Sequence, residues 1–220
     1  MPLKFEGKTI LITAGPTYEP IDAVRFIGNY SSGKMGFAIA EALAAQGAKI
    51  ILVSGPVSVK PIDPSITLVP VQTATQMLSA CLDAFPLTDG AILAAAVADY
   101  RPKSPVSHKI KRTEQDLTVE LKANPDIAAS LGKIKKESQF LAGFALETEN
   151  GIAHATEKLI RKNFDFIVLN SLEDAGSGFN SETNKITIID KDNKITSFEL
   201  KPKVDVAVDI IHFLANMIHR

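Results

Sequence analysis

The chain has 220 residues, 45% of them hydrophobic and 22% charged, with 24 Lys and Arg against 25 Asp and Glu. This is the composition of a soluble globular chain, too apolar for disorder and without any tract of like charge. The formal net charge of −1 gives no broad positive field for nucleic acid, so any anion site must be a local concentration of cations.

The start, "MPLKFEGK", lacks the apolar region of an export signal, and no apolar run approaches the length of a membrane span. A cytoplasmic location is expected, with neither nucleic acid nor membrane as partner. Cys81, the single cysteine, sits beside Met77, Leu78 and Leu82 in a helical pattern. It reads as core filler in a reduced protein with no disulfide framework.

In chain order, short apolar runs predict strands over Lys8–Thr13, Lys49–Ser54, Thr67–Val71, Gly90–Ala96, Phe140–Phe144 and Asp165–Leu169. Such runs suit strands buried on both faces. Between them, helical spacing predicts helices over Lys34–Gln46, stopped by Gly47, and over Thr73–Ala84, Pro125–Lys136, Gly151–Asn163 and Val204–Ile218. Lys185–Asp190 and Lys194–Leu200 flank "KDN" and read as a hairpin. The sum is an α/β, Rossmann-like, doubly wound and mostly parallel sheet with an added C-terminal hairpin at about 184–200 and a protruding arm at about 100–123. All of residues 1–220 is expected to form a single domain.

In such sheets ligands sit outside the carboxyl ends of the strands. After the first strand comes "AGPTYEPIDAVRFIGNYSSGKMG", whose "GNYSSGKMG" nearly spells a P-loop. Met35 stands where the P-loop needs the Ser or Thr that holds magnesium, and the strand ends about fifteen residues earlier. What remains is Ser31, Ser32 and Gly33 at a helix N-terminus, where free N–H groups receive phosphate. The alternative is that a serine only caps the helix and the glycines only turn the chain.

A nicotinamide-dependent oxidoreductase is the obvious rival, but the first turn lacks G-x-G-x-x-G and "ILVSGPV" lacks the acidic residue that grips a ribose. After the fourth strand, Ala95 to Ala98 are small enough for close ligand approach, and Asp99 stands where a carboxylate meets a polar ligand edge. These alanines also suit helix contacts, and Asp99 also suits a turn. Lys109–Thr113 and Leu117–Lys122 read as an extended arm with a turn at "EQD", Lys109 and Lys111 sharing one face. Edge lysines also guard against aggregation. Lys158 and Lys162 share a helix face near its C-terminus, where the dipole alone favours cations.

"ILITAGPTYEPIDAVRFIGNYSSGKMGFAIA", "LVSGPVSV", "AAVADYRP", "KIKR", "NPDI", "GFALET", "KLIRKNFDFIVLN" and "GFNSETN" occur in order over nearly the whole chain. Together they closely resemble phosphopantothenoylcysteine synthetase, also called phosphopantothenate–cysteine ligase, of the bacterial CTP-dependent type. The resemblance implies a ligase of coenzyme A biosynthesis. The carboxylate of 4′-phosphopantothenate attacks the α-phosphate of CTP, giving an acyl-cytidylate and pyrophosphate, and the L-cysteine amine then displaces CMP. It implies phosphate-bound Mg2+, CTP as co-substrate, no flavin and a homodimer. Many bacteria fuse the synthetase behind a flavin-containing decarboxylase that these 220 residues do not contain, so the expectation is either a stand-alone synthetase, with a decarboxylase partner on a separate chain, or an excised domain.

Residue by residue, it implies Asn29 near the acyl carbonyl and Lys109 on a closing arm as the catalytic pair. Arg25, Asn29 and Ala95 then contact substrate. Asp99, Lys109, Asn124, Pro125, Asp126, Ile127, Phe144, Lys158 and Lys162 bind the nucleotide, and Gly15, Ser31, Ser32, Gly33 and Lys34 face phosphate groups. No metal ligands are assigned. Departures from the family pattern are Tyr18 where Arg is frequent, Arg112 for the last Lys of "KIKK", and Leu146 for an Ala. The late hairpin, with Ile186, Ile188, Phe198 and Leu200, is the expected pairing element of the dimer. A non-catalytic nucleotide-binding module on the same fold is the second rival; it need not keep Asn29 or Lys109.

Overall fold

The computed structural model describes residues 4–112, 116–147, 149–171 and 181–218. In chain order the strands are β1 (Thr9–Ala14), β2 (Tyr18–Pro20), β3 (Phe26–Gly28), β4 (Lys49–Ser54), β5 (Ile66–Pro70), β6 (Gly90–Leu93), β7 (Tyr100–Pro102) and β8 (Leu121–Ala123). They continue with β9 (Phe140–Glu147), β10 (Phe166–Ser171), β11 (Thr183–Asn184), β12 (Ile186–Asp190), β13 (Ile195–Ser197) and β14 (Lys201–Pro202). The helices are α1 (Lys34–Ala44), α2 (Ala74–Ala84), α3 (Ile127–Ile134), α4 (Gly151–Arg161) and α5 (Lys203–Ile218).

Eight strands form one sheet in the order β13-β12-β10-β9-β6-β1-β4-β5. The six predicted strands are its parallel part, and β12 and β13 add antiparallel at one edge. The alternation of side chains explains the layering. Ile10 and Ile12 of β1 point into one apolar layer shared with Leu43 of α1 and Ile210 of α5, while Leu11 points into the other with Met77 of α2, Leu131 of α3 and Leu159 of α4. Cys81 belongs to that second layer, and burial pushes its thiol up to about 12, so it stays an unreactive thiol.

Element ends follow local chemistry. Thr73 and Gln76 close a capping box at α2, Asp126 caps α3 by accepting from Ala129 N, and Gly47 adopts the positive φ of 92° that ends the α1 turn. The sixth strand stops at Leu93 rather than Ala96. Beyond it the backbone still bonds to the first strand's extension, Ala94 N to Thr13 O at 3.2 Å and Ala96 N to Gly15 O at 2.9 Å, but as an irregular segment.

The arm departs from expectation. The arm is paired at its base, β7 with β8, and Lys109 to Arg112 are not in a strand; the expected turn at "EQD" falls largely outside the described residues. Pairing at the base is favoured because Lys103 N bonds Glu120 O, with their side chains bridged at 2.8 Å, whereas Ile110 is held by the first loop instead. The late hairpin forms, as β12 and β13. Ile186 and Ile188 are fully buried in the layer under α5 and Phe198 packs on that layer, while Ile195 of the edge strand β13 and Leu200 beyond it are exposed.

Gly55 shows how tightly the first loop seats on the sheet. A Cβ at this position would lie 1.6 Å from Pro16 O, so Gly55→Ala must push the first loop off the end of β4. The expected cost is about 1–3 kcal/mol, or a fall in Tm of roughly 2–12 °C. Thermal denaturation with an unchanged Tm would mean that the loop yields freely.

Candidate active site

The strand order reverses between β1 and β6, so their carboxyl ends splay apart and open a crevice. Two adjoining cavities occupy it. The larger, of about 550 Å3, is lined by Asn29, Ala95, Asp99, the Asn124–Ile127 segment, Phe144, Lys158 and Lys162, together with Leu146 and others. The smaller, of about 140 Å3, is lined by Ser31, Ser32, Gly33 and Lys34 at the start of α1 and by Asn170, Asn184 and Lys203. Ala95, Ala96, Phe144 and Leu146 border both, so the two are neighbours in one crevice.

The first loop reaches this crevice through a small hairpin, β2 with β3, that the alternation of apolar residues does not reveal. Tyr18 and Phe26 stack across it with ring centroids 3.8 Å apart. The hairpin delivers Asn29 to the mouth of β6, where its Nδ2 donates to Ala96 O at 3.0 Å. Thr17 N donates to the same carbonyl at 3.3 Å, and Ala98 N bonds Thr17 Oγ1 at 3.0 Å. The amide is therefore fixed beside Ala95. An amide nitrogen carries two hydrogens, so this bond leaves the group a second donor direction.

On the opposite wall Asn124 is a brace: Nδ2 donates to Ala98 O at 2.7 Å and Oδ1 accepts from Arg101 at 2.6 Å, joining the arm base to the exit of β6. Asp99 takes part through its backbone, accepting from Asn124 N at 2.8 Å, with its side chain exposed. Asp126 caps α3, and the same carboxylate lies 3.3 Å from Lys162. Lys158 is bonded to Glu147, which His154 also approaches at 3.3 Å. Burial pushes the Glu147 carboxyl up, but the Lys158 and His154 contacts outweigh it and hold the group below the usual range.

Three expected residues do not line either cavity. Gly15 has φ 74° and abuts Gly33 and Val57, so it shapes the loop that carries the serines. Arg25 is held by Asp22, through Nε at 3.0 Å and a second contact from Nη2, and donates to Ile110 O at 2.9 Å. Lys109 is exposed on the arm next to Ile110. The arm is thereby tied to the first loop, since Ile110 N also donates to the buried Asp22 carboxylate at 3.0 Å.

Sequence reasoning missed Asp22, Asn170, Asn184 and Lys203. Asn170 was findable, since it sits at the carboxyl end of β10. Asn184 and Lys203 gave no signal, because they reach the crevice only through the β11–β14 pairing, two residues in each strand. Among the described residues no group of three or more His, Cys, Asp or Glu side chains is arranged to hold a metal ion, and no helix is long and apolar enough to cross a membrane.

A doubly wound parallel sheet with its crevice at the switch point defines a Rossmann-like α/β protein whose ligand site is assembled from several strand exits. More particularly, the chain belongs to the family described as the DNA/pantothenate metabolism flavoprotein C-terminal domain, which it matches over residues 5–218. The coenzyme A biosynthesis bifunctional protein CoaBC of Bacillus subtilis is 45% identical over 210 residues, covering 96% of this chain and 52% of that protein. A cysteine/cysteine sulfinic acid decarboxylase of an unknown prokaryotic organism is 54% identical over 213 residues, covering 97% of this chain and 59% of that protein. The chain thus spans little more than half the length of these relatives. The crystal structure of the C-terminal domain of a CoaBC superposes with a TM-score of 0.84 at 41% identity, covering 99% of this chain and 98% of that domain. The motif resemblance to phosphopantothenoylcysteine synthetase and the Rossmann-like fold are both borne out.

Proposed function

We propose that the chain catalyses the ligation of 4′-phosphopantothenate to L-cysteine in coenzyme A biosynthesis, with CTP as co-substrate and through an acyl-cytidylate. One observation carries this reading: Asn29, Ala95, Asp99, Asn124 to Ile127, Phe144, Lys158 and Lys162, scattered over the sequence, converge on one cavity of about 550 Å3. That volume suits a nucleoside with part of an extended acid. The likeness to the CoaBC C-terminal domain over nearly its full length supports assigning the ligase reaction to this part of the longer relatives. The decarboxylase name of another relative belongs to a protein of which this chain matches only 59%. We assign both the decarboxylation and the flavin to a separate part or a separate chain.

The first step drives an anionic carboxylate against a polyanion, so positioning and charge screening dominate. Lys158 and Lys162 on one wall and Lys34 on the other supply fixed positive charge, and Lys109 arrives with the arm. Magnesium bound to the nucleotide phosphates would supply further charge screening; the nearby Glu147 and Asp126 are engaged with Lys158 and Lys162. In the second step the cysteine amine adds to the acyl carbon, and the Asn29 amide donates to the oxyanion that forms before CMP leaves. The working form is a homodimer in the cytoplasm, and the exposed Ile195 and Leu200 of the late hairpin, at the edge of the sheet, suit its contact surface.

The test is pyrophosphate release with phosphopantothenate, magnesium and either CTP or ATP. The expected result is CTP-dependent release without cysteine, and amide product only when cysteine is added. Folded protein that releases no pyrophosphate with either nucleotide would sink the reading.

A further inference from the structure

The smaller cavity contains more than the start of α1. Lys203, the first residue of α5, is 7% exposed and donates to Ser181 O at 2.6 Å. Lys34 is held by Glu182, a carboxylate whose side chain is 79% exposed. In the same cavity Asn184 is 2% exposed, its Nδ2 donating to Asn170 Oδ1 at 3.1 Å, and its Oδ1 is the one buried side-chain polar atom without a hydrogen-bond partner among the described residues. A buried polar atom left in this state is costly unless a ligand or a rearrangement satisfies it.

We propose that Lys203 and Asn184 complete, with Lys34 and the α1 N-terminus, a subsite for the diphosphate end of the nucleotide, and that Glu182 is its built-in surrogate anion, displaced when the ligand arrives. The inference rests on the nucleotide-dependent reading above and specifies its polyanionic half. Size supports it: 140 Å3 is the room of about five water molecules, too little for a nucleoside, and it adjoins the larger cavity at Ala95 and Phe144. Charge supports it as well. Burial and then the neighbouring Lys34 cation hold Lys203 below the ordinary lysine value, while Glu182 pulls it back up, so a second anion in this space relieves an existing repulsion.

The orphaned Asn184 oxygen fits the same ligand. Turning both amides by 180° keeps the Asn170–Asn184 bond with its roles exchanged and presents Asn184 Nδ2, a donor, where the unpartnered acceptor stood. The pair is a positioning device whose polarity follows the occupant. Glu182 in turn offsets the repulsion between Lys34 and Lys203.

Binding of inorganic pyrophosphate with magnesium, followed by calorimetry on the whole chain, tests this. Glu182→Gln should tighten pyrophosphate binding about three- to tenfold, because the competitor is removed. Lys203→Met and Asn184→Leu should each weaken it about tenfold or more, with Lys203→Arg restoring most of the loss, and CMP binding should stay within about twofold in every variant. Circular dichroism and Tm identify any variant that fails to fold, and the Glu182→Gln gain cannot arise from misfolding. Unchanged or weaker pyrophosphate binding in Glu182→Gln, or unchanged binding in Lys203→Met, overturns the proposal. Failure of the ligase reading is separately visible, as normal pyrophosphate binding without amide formation.

Discussion

Asn29→Ala should leave the fold and acyl-cytidylate formation nearly intact and cut amide formation by a factor of about a hundred or more. The reason lies in the placement of the side chain. Its Nδ2 is anchored on Ala96 O at 3.0 Å, a carbonyl that is itself fixed by Thr17 N, so the amide is held in place before any ligand binds. A donor preorganised toward a developing oxyanion typically contributes about 2.7–4 kcal/mol to the transition state, and that contribution is absent from the phosphoryl-transfer step. Single-turnover measurement of CMP and pyrophosphate separates the two steps. Equal loss of both would assign Asn29 to substrate binding, and loss of neither would remove it from the chemistry. The side chain is exposed and packs into no core, so a fall in Tm is not expected.

The parallel sheet was legible because each strand is a short apolar run bounded by turn residues, and a strand buried on both faces carries that signal within its own few residues. The β2–β3 hairpin was not, since Tyr18–Pro20 and Phe26–Gly28 are three-residue strands held by one stacked aromatic pair and by turn bonds to Asp22. Lys109–Thr113 misled for the opposite reason. Its alternation is that of a strand, but Ile110 N and O are claimed by Asp22 and Arg25, and a backbone bonded to side chains does not extend a ladder. The candidate site was readable where a residue follows a strand exit, and opaque where a residue arrives from the far end of the chain, as Asn184 and Lys203 do.

One feature of the site was beyond any reading of patterns. Arg25 is paired with Asp22, Lys34 with Glu182, Lys158 with Glu147 and Lys162 with Asp126. Each of these candidate anion-binding cations therefore already carries a carboxylate. Partly exposed pairs of this kind contribute little to stability, because solvent screens them. They do offset the positive charge of these side chains and hold them near their working positions. A phosphate ligand then exchanges one anionic partner for another, and the cost of ordering the lysines is largely met before binding.

The Asp22–Arg25 pair differs from the others, and substitution there should act on the arm. Asp22 has its side chain fully enclosed and receives Val24 N and Arg25 N at 2.8 Å, Arg25 Nε at 3.0 Å and Ile110 N at 3.0 Å. The Arg25 guanidinium, with these backbone N–H groups, outweighs burial and holds the carboxyl well below the usual range. A group depressed in this way stabilises above its unfolded value and loses that contribution only as pH falls through the folded one. The latch therefore stands throughout neutral and mildly acidic pH and is no pH switch. Asp22→Asn removes the charge that grips Arg25 and puts a donor where Ile110 N needs an acceptor. The arm should be released, with trypsin cutting severalfold faster after the exposed Lys109, Lys111 and Arg112. Displacing a catalytic group by about 1 Å can cost a hundredfold, so kcat should fall on the order of tenfold to a hundredfold if the arm delivers Lys109, with KM for cysteine changed far less. Faster trypsin cleavage with unchanged kcat would separate the arm from the chemistry and leave Asp22 a purely structural residue.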